Sequence, residues 1–288
     1  MPHRAAVPLI LALLALFPRP ASGAPTRPDG GSPTCDRRGT TLTVHVPAGA
    51  YIFRSSDGSI GLRGFPCDGG TVTTVDKIKV VGDTSANSVT IQLGKGFKPG
   101  ATDEPGSSDE IEFQILLGGD PAIDSITILG DPSAAPVQSN IRVGGFGVGL
   151  INLNAGEATG IDSDLSFTPV EKLRVSGADA GDTLSAHGGA GTSAPYASAI
   201  QIDGYGGNDT IAGGAAGDLL YGGDAADTLA GNGAGDTLTG GPGSDDLFGN
   251  SGDDTLKAKD MVTGETVNGG NDTDTCVADA ADIVSSCE

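Results

Sequence analysis

The chain has no tryptophan, four per cent aromatic residues, two methionines and three histidines in 288 positions. So little bulk excludes a wide globular core, and the 48 glycines favour a narrow, repetitive one. Basic residues are scarce too: 16 Lys and Arg face 37 Asp and Glu, a formal charge of -21. That balance excludes nucleic acid and anionic membranes as natural partners and selects cations. His45 and His187 lack the paired spacing of a metalloprotease and read as surface or turn residues. No serine sits in a G-x-S-x-G elbow, so hydrolase nucleophiles are not evident.

Long apolar runs are missing as well, apart from Val7 to Phe17 near the start. Arg4 precedes that run and "PRPASGAP" follows it, a pattern that predicts a secretory signal peptide over residues 1–23. A membrane anchor needs roughly 20 apolar residues, and this run is too short. The expected location is therefore extracellular. Cysteine is limited to four positions, an even number that in an exported chain favours disulfides. Chain order suggests Cys35 with Cys67 and Cys276 with Cys287, although four cysteines allow three connectivities.

What the chain does have is divided unevenly. From Gly177 onward, 19 acidic residues stand against Lys257 and Lys259 alone, whereas residues 24–176 hold 18 acidic and 12 basic ones. This sets an expected boundary between an N-terminal region, 24–176, and a C-terminal one, 177–288. The N-terminal region predicts strands at Thr40–Val46, Lys77–Gly82, Ser88–Leu93, Glu110–Leu117, Ser125–Gly130 and Lys172–Gly177. β-Branched and polar residues alternate in them, Gly-Asp turns follow several, and no helical period intervenes. The class is all-β. The strands fit degenerate coils of a β-solenoid, the reading preferred here, or a separate sandwich.

The C-terminal region falls into nonapeptides: "GYGGNDTIA", "GGAAGDLLY", "GGDAADTLA", "GNGAGDTLT", "GGPGSDDLF" and "GNSGDDTLK". Asp209, Asp218, Asp227, Asp236, Asp245 and Asp254 take the sixth place, and an apolar residue takes the eighth, from Ile211 to Leu256. Six aspartates in register would arise by chance about once in a million at a given phase, so the series is a repeat. Glycine in first place permits tight turns with positive φ, and the eighth residue builds a thin core when coils stack. Asp182 and Asp274 extend the register beyond two interruptions, and Cys276 then stands where leucine is expected. Stacked aspartates repel unless a cation neutralises them. Their hard oxygens, with backbone carbonyls, suit calcium better than zinc, copper or magnesium.

These residues resemble the repeats-in-toxin, or haemolysin-type, calcium-binding nonapeptide GGxGxDxUx. The ending "DTCVADAADIVSSCE" and the composition also look like secreted calcium-binding repeat proteins of actinobacteria. The resemblance implies a parallel β-roll over 177–288, with two nonapeptides per coil and about four or more calcium ions between turns on the same side. Ligands would come from Asp182, Asp209, Asp218, Asp227, Asp236, Asp245, Asp254 and Asp274, paired two repeats apart. Glycine-turn carbonyls at Gly204, Gly206, Gly213, Gly222, Gly231, Gly240 and Gly249 would help. Ala216, Ala225 and Ala234 depart from the family's glycine in fourth place, where a Cβ strains a left-handed turn or forces a different one. The expected role is non-enzymatic: calcium-driven folding outside the cell, with adhesion or association with matrix or cell-surface components. The rival is a calcium-dependent polysaccharide-active enzyme, resembling β-helix lyases, with Arg142, Lys172 or Arg174 as base. It requires a groove that gathers those groups.

Overall fold

The computed structural model describes residues 34–46, 49–54, 59–62, 65–71, 77–82, 86–92, 98–99, 110–117, 123–130, 140–144, 149–152, 165–168, 170–189, 192 and 194–288. The expected leader, 1–23, lies outside these. Among the described residues there are strands and turns but no helix, and so none long and apolar enough to cross a membrane.

The strands assemble into a 14-stranded and an 11-stranded sheet, mostly parallel. Through the C-terminal half, successive strands alternate between the two, so that each pair makes one coil. Thr228 lies beside Thr210 and Asp246 beside Thr228, and Thr237 lies beside Leu219 and Thr255 beside Thr237. Each step is one coil of two nonapeptides. Leu220, Leu229, Leu238, Leu247 and Leu256 are wholly buried between the sheets, one per strand. This is the β-roll that the family resemblance implies.

The same two sheets continue through the N-terminal region. Ser125–Leu129 pairs in parallel with Lys172–Ser176, which pairs with Ile200–Gly206. Asn140–Gly144 pairs with Thr183–Ser185. Neither sheet breaks at residues 176–177, so the strand-rich region is a degenerate solenoid rather than a sandwich. All six predicted strands are present within one residue at each end. Period-2 alternation explains them: Leu42, Val44 and Val46 point inward from one, Ile78 and Val80 from the next, Val89 and Ile91 from the third. Strands at Gly49–Arg54, Asn140–Gly144, Gly149–Asn152 and Leu165–Phe167 were not predicted; the first three begin or end in glycine and the last has three residues. Two short antiparallel excursions, Ser59–Leu62 with Phe65–Thr71 and Asn140–Gly144 with Gly149–Asn152, lengthen the N-terminal coils.

Both ends of the stack involve a cysteine. Cys35, on Thr34–Arg38, is disulfide-bonded, and that strand runs antiparallel to Thr41–Val46. Its expected partner, Cys67, has a side chain outside those described. Cys276 and Cys287 are bonded, with Cα atoms 5.7 Å apart, and Cys276 stands beside Leu256 in the ladder. The bond holds the last turn against the final coil, where Val277, Ile283 and Val284 are exposed and the sheets end.

Candidate metal sites

The turns lie along two edges. One edge carries residues 177–182, 204–209, 222–227 and 240–245; the other carries 213–218, 231–236, 249–254 and 269–274. Every aspartate in sixth place is buried, with no more than 2 % of its surface exposed. Removing a carboxylate from water is costly unless its oxygens find donors or a cation.

One oxygen finds a donor in the preceding coil. The Asp209 amide donates to Asp227 Oδ1 at 2.8 Å, Asp227 to Asp245 at 2.9 Å, Asp218 to Asp236 at 2.7 Å and Asp236 to Asp254 at 2.7 Å. Aspartates two repeats apart thus stand together, joined by backbone N–H to carboxylate bonds. The other oxygen is different: Oδ2 of Asp209, Asp227, Asp236, Asp245, Asp254 and Asp274 is buried with no partner.

The turn backbone accounts for that. Six turns hold their second residue in the left-handed region: Tyr205, Gly223, Asn232, Gly241, Asn250 and Gly270. These are the turns of the six orphaned oxygens. The conformation turns the second N–H away from the aspartate; Gly223, for example, donates to the Gly240 carbonyl at 2.8 Å in the next coil. In turns 177–182 and 213–218 the second residue has ordinary φ, and its N–H reaches Oδ2: Ala178 to Asp182 at 2.7 Å, Gly214 to Asp218 at 2.6 Å.

Glycine in first place keeps the space beside the carboxylate open. A Cβ on Gly204 would collide with Asp209 Oδ2 and the Gly222 carbonyl, and one on Gly222 with Asp227 Oδ2 and the Gly240 carbonyl. Gly231 and Gly249 are hemmed in by the same kind of oxygen pair, and Gly240 by Asp245. An orphaned carboxylate oxygen and a neighbouring carbonyl, with no room for a methyl group, form a cradle of hard donors. Among the described residues no three His, Cys, Asp or Glu side chains converge on one point. A cation held in these turns would therefore draw most of its shell from backbone carbonyls.

Burial shifts the carboxyls accordingly. Desolvation pushes Asp209 and Asp236 up to about 7, and Asp218, Asp227 and Asp245 to about 6, against lowering by backbone amide bonds. Neighbouring carboxylates add to the rise: Asp227 and Asp182 on Asp209, Asp218 and Asp254 on Asp236. Asp254 is raised for the same first reason.

The remaining predicted positions divide. Gly206 donates its N–H to Ala178 O at 3.1 Å, and the Gly213 carbonyl accepts from the Asn232 side-chain Nδ2 at 2.9 Å. Ala225 and Ala234 do take left-handed φ, 87° and 66°, while Ala216 does not. Both expected outcomes of a fourth-place alanine are thus present, strain in two turns and a different turn in the third. His187 is exposed and His45 half-exposed, 3.9 Å from Asp36. The Arg142 side chain lies outside those described.

Sequence reasoning missed Glu265. It stands where the sixth-place aspartate would, as the eighth residue of the eleven-residue repeat 258–268, accepts the Asp245 amide at 3.0 Å, and leaves Oε2 unpartnered. Burial raises it to about 7. The signal was the Thr266-Val267 pair behind it, which keeps the seventh and eighth places. The ladder also reaches into the N-terminal region: the Asn87 amide donates to Asp124 at 2.8 Å, and that of Asp124 to Glu171 at 2.7 Å.

No curated protein matches the chain. The family model of the RTX calcium-binding nonapeptide repeat, in four copies, matches residues 203–238 and 221–256. Its span covers the turns from Gly204 to Asp254, 213–218 among them, and the segment 203–256 is accordingly a run of repeats of the RTX calcium-binding type.

Proposed function

We propose that the chain is an exported, non-enzymatic calcium-binding protein whose C-terminal β-roll folds on the ion and stiffens outside the cell. Adhesion or attachment to matrix or cell-surface components is the use this reading assigns. The observation that carries it is the row of buried carboxylate oxygens without donors beside glycine carbonyls. Six aspartates and Glu265 have such an oxygen, with a glycine carbonyl beside those of Asp209, Asp227, Asp236 and Asp254, and a divalent cation of calcium's size and oxygen preference relieves it. In its absence each buried charge opposes the fold, so ion binding and folding become one equilibrium.

Export is supported by the leader pattern, by the Cys276–Cys287 bond and by calcium's extracellular abundance. The non-enzymatic reading has support in Arg174, whose Nε donates to Asp203 at 2.7 Å and which is thereby held as an ion-pair partner rather than a free base.

Circular dichroism and calorimetry of the full chain, with calcium titrated against magnesium and chelator controls, test the reading. The expected result is a gain of β signal with several ions bound at millimolar calcium or below, and little response to magnesium. No gain of β signal and no heat would refute it.

A further inference from the structure

The first turn on each edge of the regular stack differs from all that follow. On one edge it is 177–182, which stacks on Gly130; on the other it is 213–218, which stacks on Ala186 and Tyr196. Both have an aspartate in sixth place and glycine in first, and nine-residue counting treats them as sites. Their second N–H nevertheless closes on the carboxylate. At Asp218 the closure is complete: Oδ2 accepts from Gly214 and Oδ1 from Ile200 at 2.9 Å.

At 213–218 the neighbouring coil, rather than the turn's own residues, imposes this. Gly214 is free to adopt positive φ, as Gly223, Gly241 and Gly270 do. Instead the next residue, Ala215, donates its N–H to Tyr196 O at 2.9 Å, and Gly214 abuts the same carbonyl. Toward the other neighbour nothing is unusual: the Asp218 amide donates to Asp236 Oδ1 and the Asp182 amide to Asp209 Oδ1, both at 2.7 Å. Each closed turn therefore offers the next coil a formed ladder without needing an ion itself.

We infer that turns 177–182 and 213–218 bind no calcium and serve as ion-independent templates, from which the calcium-binding turns of each edge stack toward the C-terminus. Asp182 and Asp218 are then carboxylates held by amides, while Asp209 and Asp236 start the two rows of ion ligands. The inference rests on the calcium reading for what the open turns do, but not for what the closed turns are.

Amide exchange of the full chain, followed by NMR in chelator and in calcium, separates the two. In chelator, Ala178 and Gly214 should exchange at least about tenfold more slowly, relative to intrinsic rates, than Asn232 and Asn250, which gain protection only with calcium. In direct calcium-binding measurements Asp218→Asn should keep the parent's ion count, whereas Asp236→Asn should lose about one ion. If Gly214 is unprotected in chelator and gains protection with calcium in step with Asn232, the inference falls. It falls equally if Asp218→Asn loses as many ions as Asp236→Asn. Should Asp218→Asn fail to fold, the exchange of the parent decides. Should the parent bind no calcium, the proposed function fails, and protection of Ala178 and Gly214 in chelator still decides whether the closed turns stand alone.

Discussion

The N-terminal and C-terminal coils share two sheets and one kind of ladder but differ in what holds each coil down. Val80 lies 36 residues on from Val44 and Asp124 lies 37 on from Asn87, whereas each regular C-terminal coil takes 18. The longer coil uses its residues to bury more. Ile78, Val80, Val89 and Ile91 give one N-terminal coil four inward aliphatics, while Leu220 and Leu229 give a C-terminal coil two. At roughly 1.5–3 kcal/mol for each fully buried side chain, the difference is several kcal/mol per coil. The C-terminal coil also buries two carboxylates, and an ion is the natural compensation. A narrow coil of 18 residues is thus possible where calcium is abundant.

The comparison can be broken by protons. Asp209, Asp236 and Glu265 are raised to about 7 and Asp227 and Asp245 to about 6, above the unfolded range near 4. The folded state therefore holds protons more tightly. That stabilisation is fully present below about pH 4 and is lost as pH rises through 6 to 7. In chelator, β signal from the C-terminal half should appear on acidification from pH 8 to 5 and vanish on return. A pH-independent signal in chelator would contradict the role given to these carboxyls.

The next effect is confined to single sites. Gly222→Ala sets a Cβ against Asp227 Oδ2 and the Gly240 carbonyl, and should weaken calcium binding by about tenfold or more, roughly 1.4 kcal/mol, in calorimetry. Gly206→Ala meets nothing closer than 3.7 Å at an ordinary φ and should leave binding near the parent's. Equal losses would show that the first-place cradle is not the feature the ion needs.

The smallest effect concerns the alanines. Ala225→Gly releases a left-handed residue and should raise the stability of the calcium-loaded protein by up to about 1 kcal/mol, seen as a higher melting temperature. Ala216→Gly, in a turn without that conformation, should lower it by about 0.5–1 kcal/mol. Matching shifts in the two variants would remove the distinction between open and closed turns.

Much of this was legible in the sequence because the constraints are periodic. Alternation placed the six strands from Thr40–Val46 to Lys172–Gly177, and the nine-residue count placed Asp209 to Asp254 on the two edges. Glu265 escaped because its turn has eleven residues and a longer side chain. Asn87, Asp124 and Glu171 escaped because they are spaced 37 and 47 apart and share no motif. The closed turn 213–218 was hidden for another reason: Gly214 does not itself dictate closure, and Tyr196, whose carbonyl fixes that turn, lies outside the repeat.

Hydrogen exchange with mass spectrometry, comparing the calcium-loaded full chain with the same chain in chelator at pH 7.5, tests the central claim most directly. The account predicts that peptides over Lys77–Gly82, Ser88–Gln92 and Ser125–Leu129 stay protected in both conditions, while those over Thr228–Gly233 and Asp246–Ser251 lose protection in chelator. Protection of both sets without calcium, or loss of both together, would contradict it.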